Sequence, residues 1–175
     1  EGDDSPPIFD DPTDDVISYK ACLEQINGSG AVAFAYLELD EENNTLSTHV
    51  FGFNVEANKV HAQHIHGLED KTANAGCPPG SADANDDGII TLAEGIPFYG
   101  GVKLALTDEG GNYPSANAMG MTQYSRVFNL GTGDIISADD LGPLENRVVV
   151  MHGMTWDGAY VGSLPIACAE ISRVN

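Results

Sequence analysis

Residues 31–53 read AVAFAYLELDEENNTLSTHVFGF, and this stretch decides the fold. Val32, Phe34 and Tyr36 alternate with Ala31, Ala33 and Ala35, and Leu37-Glu38-Leu39-Asp40 keeps the same two-residue period. Glu41-Glu42-Asn43-Asn44 then forms a polar break before the extended pattern resumes at Thr45. Successive side chains of an extended chain point to opposite faces, so this period with a polar turn predicts an antiparallel hairpin. Similar β-rich runs occur at 59–66, 102–107, 124–130, 147–151 and 159–171, with a further one at 16–23. Gly, Pro, Asn and Asp separate them, and the chain holds twenty glycines and nine prolines. The expectation is an all-β fold, a Greek-key β-barrel or sandwich of about eight antiparallel strands. Helical turns are expected only near 92–95 and 138–141.

The charge balance removes whole classes of function. Among 175 residues, seven Lys and Arg face 27 Asp and Glu, a net charge of −20. Such a field repels nucleic acid and anionic membrane surfaces alike. No apolar run approaches the roughly 20 residues that span a bilayer, so no membrane insertion is expected. Residues 1–15 carry seven acids, three prolines and no base, a composition expected to form a disordered or extended tail. Assembly through that tail, or a homo-oligomer, is the corresponding partner expectation. Residues 16–175 are expected to form the single domain.

Cys22, Cys77 and Cys168 allow one disulfide and one thiol, with three pairings open. One bridge in an acidic, Lys-poor chain that opens at Glu1 without Met reads as a mature exported protein, secreted, periplasmic or cell-surface. The sequons Asn27-Gly28-Ser29 and Asn43-Asn44-Thr45 carry little information, because such triplets arise readily by chance.

Three of the five histidines lie in His61-Ala62-Gln63-His64-Ile65-His66. On a strand, His64 and His66 share a face and can offer two imidazoles to one ion, while His61 projects to the other side. Neutral imidazole suits copper and zinc. A further candidate, His152, follows the apolar run Val148-Val149-Val150-Met151 and is expected at a strand end.

These segments, with Gly76-Cys77 and Ala167-Cys168, resemble the copper/zinc superoxide dismutase family. The resemblance implies that His64, His66 and His152 bind copper and carry catalysis, and that Cys77 pairs with Cys168, leaving Cys22 free. It also implies that His61 braces the ligand strand through the backbone. Asp157 is a candidate for orienting an imidazole, as carboxylates near metal sites do. Residues 62–67 are also similar to the CHRD domain, an extracellular module, which implies a non-catalytic role in copper binding, storage or assembly. The segment from Cys77 to Tyr99 holds no histidine, so the family's zinc ligands are missing and a copper-only variant is expected, with no zinc. Pro165 stands where that family has an arginine that draws in superoxide. Superoxide, or another small ligand at copper, is the expected partner.

Where the zinc ligands are missing, Asp83-Ala84-Asn85-Asp86-Asp87-Gly88-Ile89-Ile90-Thr91-Leu92-Ala93-Glu94 matches the twelve-residue EF-hand pattern. Oxygens of Asp83, Asn85 and Asp87, the Ile89 carbonyl and a bidentate Glu94 would hold calcium, with Gly88 at the sharp turn. Cys77-Pro78-Pro79-Gly80 precludes a helix before it, so the loop at 83–94 reads as a structural, unpaired calcium loop. His49, on a strand with Phe51 and Phe53 on its face, is expected to be packed or exposed and not a ligand.

Overall fold

The structure, a computed structural model, describes residues 16–174; the acidic stretch expected as a tail lies outside the described residues. Nine strands form in chain order: β1 (Val16–Gln25), β2 (Val32–Asp40), β3 (Thr45–Phe53), β4 (Gln63–Gly67), β5 (Gly101–Ala105), β6 (Thr122–Asn129), β7 (Val148–Trp156), β8 (Ala159–Glu170) and β9 (Ser172–Arg173). Two short helices, α1 (Leu92–Tyr99) and α2 (Ala138–Leu141), interrupt them. Eight strands pair in the order β5-β4-β7-β8-β1-β2-β3-β6, while β9 pairs with β1. All pairings are antiparallel. The sheet curls into a half-barrel whose end strands, β5 and β6, do not pair with one another, which corrects the expectation of a closed barrel.

The hairpin at 31–53 forms as the alternation predicts, with Val32 opposite Phe53 and Asp40 opposite Thr45. Its turn closes on Asn44, whose φ of +51° is a conformation that asparagine tolerates better than most residues. The faces, however, are assigned by size. Ala31, Ala33 and Ala35 are buried inside the curl, whereas Val32, Phe34 and Tyr36 face outward. Small residues line the concave side because the curl leaves less room there, and Leu37, Leu46, Phe128, Ile65 and Met151 fill the remaining core.

Val148-Val149-Val150-Met151 is uninterruptedly apolar because β7 is covered on both faces. Val149 and Met151 join the main core, while Val148 and Val150 pack outward against Ile26, Ile90, Tyr99 and Cys168. The 68–99 segment makes that second layer, and the Cys77–Cys168 disulfide ties it to β8. Cys22 is free and exposed.

Strand limits differ from the sequence reading at two functional positions. β4 begins at Gln63, so His61 lies before the strand, and β7 continues to Trp156, so His152 sits within a strand at a register shift. Gly153, with φ +108°, makes that irregularity possible: a Cβ there would collide with the Tyr160 hydroxyl. Helix α1 is longer than expected and runs through Pro97. A reciprocal cap, Thr91 with Glu94, holds its first turn. No helix among the described residues is long and apolar enough to cross a membrane.

Candidate metal centre

The two-residue period of β4 puts His64 and His66 on one face, and β7 lies alongside, with His64 opposite Val150 and Gln63 opposite Met151. His152 follows Val150, the partner of His64, by two residues on β7 and so falls on that same face. The three rings meet: their centroids are 5.2 Å (His64–His66), 5.1 Å (His64–His152) and 5.7 Å (His66–His152) apart. One nitrogen from each lies within 4.8 Å of the others. Among the described residues this is the one group of three or more His, Cys, Asp or Glu side chains so gathered.

The hydrogen bonds select which nitrogens face one another. His66 Nδ1 donates to the Gly100 carbonyl at 3.0 Å, and His152 Nδ1 donates to the Ser163 carbonyl at 3.0 Å. A carbonyl can only accept, so both rings carry the proton on Nδ1 and leave an Nε2 lone pair. His64 is reversed: its Nε2 meets the Tyr113 hydroxyl at 2.6 Å, leaving Nδ1. The buried imidazole nitrogens without a protein partner are His64 Nδ1, His66 Nε2 and His152 Nε2. Three convergent, unpartnered imidazole nitrogens are costly to bury, and a single metal ion would satisfy all three.

Burial lowers all three basicities. It is the largest cause in each case, taking His64 to about 3 and His152 to about 4 from the ordinary 6.5, with neighbouring imidazoles adding to it; His66 is lowered too. The rings are therefore uncharged at neutral pH and ready to donate. A cavity of about 250 Å³ opens over them, walled by Ala62, Leu92, Val102 and Tyr113.

Around this centre, His61 lies between two stretches of backbone. It is fully buried, and its ring nitrogens lie 3.1 Å from the His152 carbonyl and 2.9 Å from the Glu56 carbonyl. Asp157 does not orient an imidazole. It lies exposed in the tight β7–β8 turn with φ +47°, followed by Gly158 at +79°, where a two-residue hairpin turn demands positive φ. Arg126 and Arg147 are both turned to backbone carbonyls elsewhere: Arg126 donates to those of Thr107 and Asp108, and Arg147, wholly buried, to those of Leu141 and Gly142 at 2.8 Å. His49 bonds Ser125 on the outer face.

Tyr113, Tyr99, Gly100 and Ser163 are site residues that sequence reasoning misses. Tyr99 packs against His66 with centroids 4.8 Å apart. Tyr113 lies 49 residues from its histidine, and the other two contribute carbonyls that any residue possesses, so no local signal announces them.

In the 83–94 loop the acids turn to the backbone. Asp83 accepts from the Asp87 and Gly88 amides, Asp87 from the Ile89 amide, and Glu94 from the Ala84 and Thr91 amides. Asp83, Asp87 and Glu94 do not form a group gathered as the imidazoles are. Asn27 anchors this loop as a strand partner would: its side chain accepts from the Ile90 amide at 2.7 Å and donates to the Ile90 carbonyl at 2.9 Å. A second donation from Asn27, to the Pro165 carbonyl at 3.0 Å, ties the loop to β8.

No curated protein matches the chain. The family model described as BppU N-terminal domain matches residues 3–72, a span that includes β1 to β4 and the His64 and His66 positions. This match overturns the resemblance to copper/zinc superoxide dismutases and to CHRD domains, and with it the dismutase reading and its CHRD alternative. It is the BppU N-terminal domain that the first 72 residues of this chain are similar to.

Proposed function

We propose that this chain is a structural, metal-binding β-domain in which His64, His66 and His152 hold one copper ion. The observation that carries the reading is the set of three buried, unpartnered nitrogens facing one another. Copper is favoured by the donor chemistry: three neutral imidazoles with no carboxylate or thiolate, in a largely apolar recess, suit cuprous copper, whereas a structural zinc site takes four protein ligands. The similarity to the BppU N-terminal domain, a phage baseplate component, supports a role in assembly. The Cys77–Cys168 bridge supports an oxidising compartment, whether secreted, periplasmic or cell-surface.

The 83–94 loop supports a calcium ion as a second, structural ligand. Its twelve-residue pattern supplies oxygen donors at Asp83, Asn85, Asp87, Ile89 and Glu94, and Gly88 has the φ of +86° that the turn needs.

Metal analysis of protein isolated from its native source tests both parts. One copper and one calcium per chain is the expected result. Zinc in place of copper, or a chain that takes up no copper on titration, would overturn the copper reading, and calcium-independent thermal stability would remove the calcium reading alone.

A further inference from the structure

The outer face of the half-barrel is built against the usual economy of a β-sheet. β2 places alanines inside, at 1–3% exposure, and sends Val32, Phe34 and Tyr36 outward at 37%, 53% and 40%. Strand β3 adds Phe51 and Phe53 beside them, with Phe34 opposite Phe51 and Val32 opposite Phe53. Phe34 and Phe53 meet edge to face with centroids 6.4 Å apart. Cys22 lies across from Phe34 on β1, and Gln123 lies across from Phe51 on β6, so the aromatic row is flanked by uncharged side chains.

Charge is arranged around this patch. In a chain of net charge −20, the neighbouring row Lys20, Tyr36, His49 and Ser125 carries one cation and no acid. Acids appear toward the margins, at Glu24, Glu38 and Asp40 and, in the groove beside Cys22, at Glu170. An apolar centre with a charged rim is the anatomy of a protein interface.

We propose that this face of β1, β2, β3 and β6 joins two copies of the chain, sheet against sheet, as a two-fold dimer. An apolar patch is complementary to itself, as an isologous contact requires, and the uncharged centre spares two like-charged chains from repulsion where they touch. Four strands about 4.8 Å apart and some eight residues long, at about 3.3 Å each, cover on the order of 500 Å² in projection. The accessible area of so corrugated a surface exceeds its projection and approaches the roughly 800 Å² per partner of a stable interface. Two such twisted sheets pack about 10 Å apart with strands roughly 30° askew. This inference is independent of the metal reading, since the face lies on β1, β2, β3 and β6 whereas the three histidines lie on β4 and β7.

Sedimentation of the full chain between about 1 μM and 1 mM tests it. The expected result is a monomer–dimer equilibrium that tightens as salt rises from roughly 50 to 500 mM, because salt screens the acidic rims. Phe34→Glu and Phe51→Glu should each weaken dimerisation by about 30-fold or more, while circular dichroism and copper uptake stay unchanged. A bifunctional maleimide should join Cys22 of two copies in the parent chain and fail to do so in Phe51→Glu. A monomer at every concentration and salt would overturn the proposal, as would a dimer indifferent to both glutamates. A dimer that forms only after residues 1–15 are deleted would also overturn it, by showing that the chain's own N-terminal segment occupies the face.

Discussion

His66 Nδ1 donates to the Gly100 carbonyl at 3.0 Å, so the residue that ends helix α1 also fixes the tautomer of a metal-facing imidazole. Gly100 can do this only without a side chain: its φ is +77°, and a Cβ would run into the Gly67 carbonyl. The 83–94 loop, α1 and the histidine centre are thereby mechanically continuous. Tyr99, one residue earlier, lies against the His66 ring.

Gly100→Ala should therefore cost about 1–3 kcal/mol of stability through backbone strain. It should also weaken copper binding by roughly 10–100-fold, as loss of a ligand's outer hydrogen bond does. Denaturant unfolding and chelator competition measure the two effects separately.

Tyr113→Phe removes the hydroxyl 2.6 Å from His64 Nε2 and leaves the ring in place. Copper affinity should fall by about 10-fold while unfolding changes little, because the phenyl ring still walls the cavity. Chelator competition with the variant checks this, and an unchanged affinity would show that Tyr113 does not hold the His64 tautomer.

The metal-free domain should lose stability as pH falls from about 6.5 toward 4. Burial depresses His64 to about 3 and His152 to about 4, so the unfolded chain takes up protons in a range where the folded chain does not. Protons then favour unfolding, and the stability present above 6.5 drains away as pH falls through that window. Denaturation of metal-free protein across this range should show the slope, and His152→Asn should make it shallower. A flat profile would contradict the burial of uncharged rings.

Much of this was legible in the sequence, for reasons that can be located. The hairpin at 31–53 is explicit because its alternation is unbroken and its turn polar. The His64/His66 pair is explicit because a two-residue spacing on a strand needs no further information. The direction of β2 was not legible, since alternation states that two faces exist and not which one is inside; the curl of the sheet decides that. The length of α1 was hidden by Pro97, which the capped first turn and the packing of Tyr99 override. Asp157 misled because its position after His152 in sequence becomes, across the Gly153 irregularity and the strand end, a place in an exposed turn.

Replacing both Cys77 and Cys168 with Ala should destabilise the chain by about 4–5 kcal/mol, since the bridge spans 91 residues. The loss should be felt most in the 68–99 layer, which hydrogen exchange of the Ile90 and Tyr99 amides would report. Equal exchange in bridged and unbridged protein would show that Asn27 alone suffices to hold the loop.

Whether three distant imidazoles form one metal site is read out by titrating cuprous copper into the parent chain and into His152→Ala against a chromophoric chelator. One ion should bind per parent chain, and the variant should lose at least about 100-fold in affinity. Equal affinity in the two proteins would contradict a single shared site.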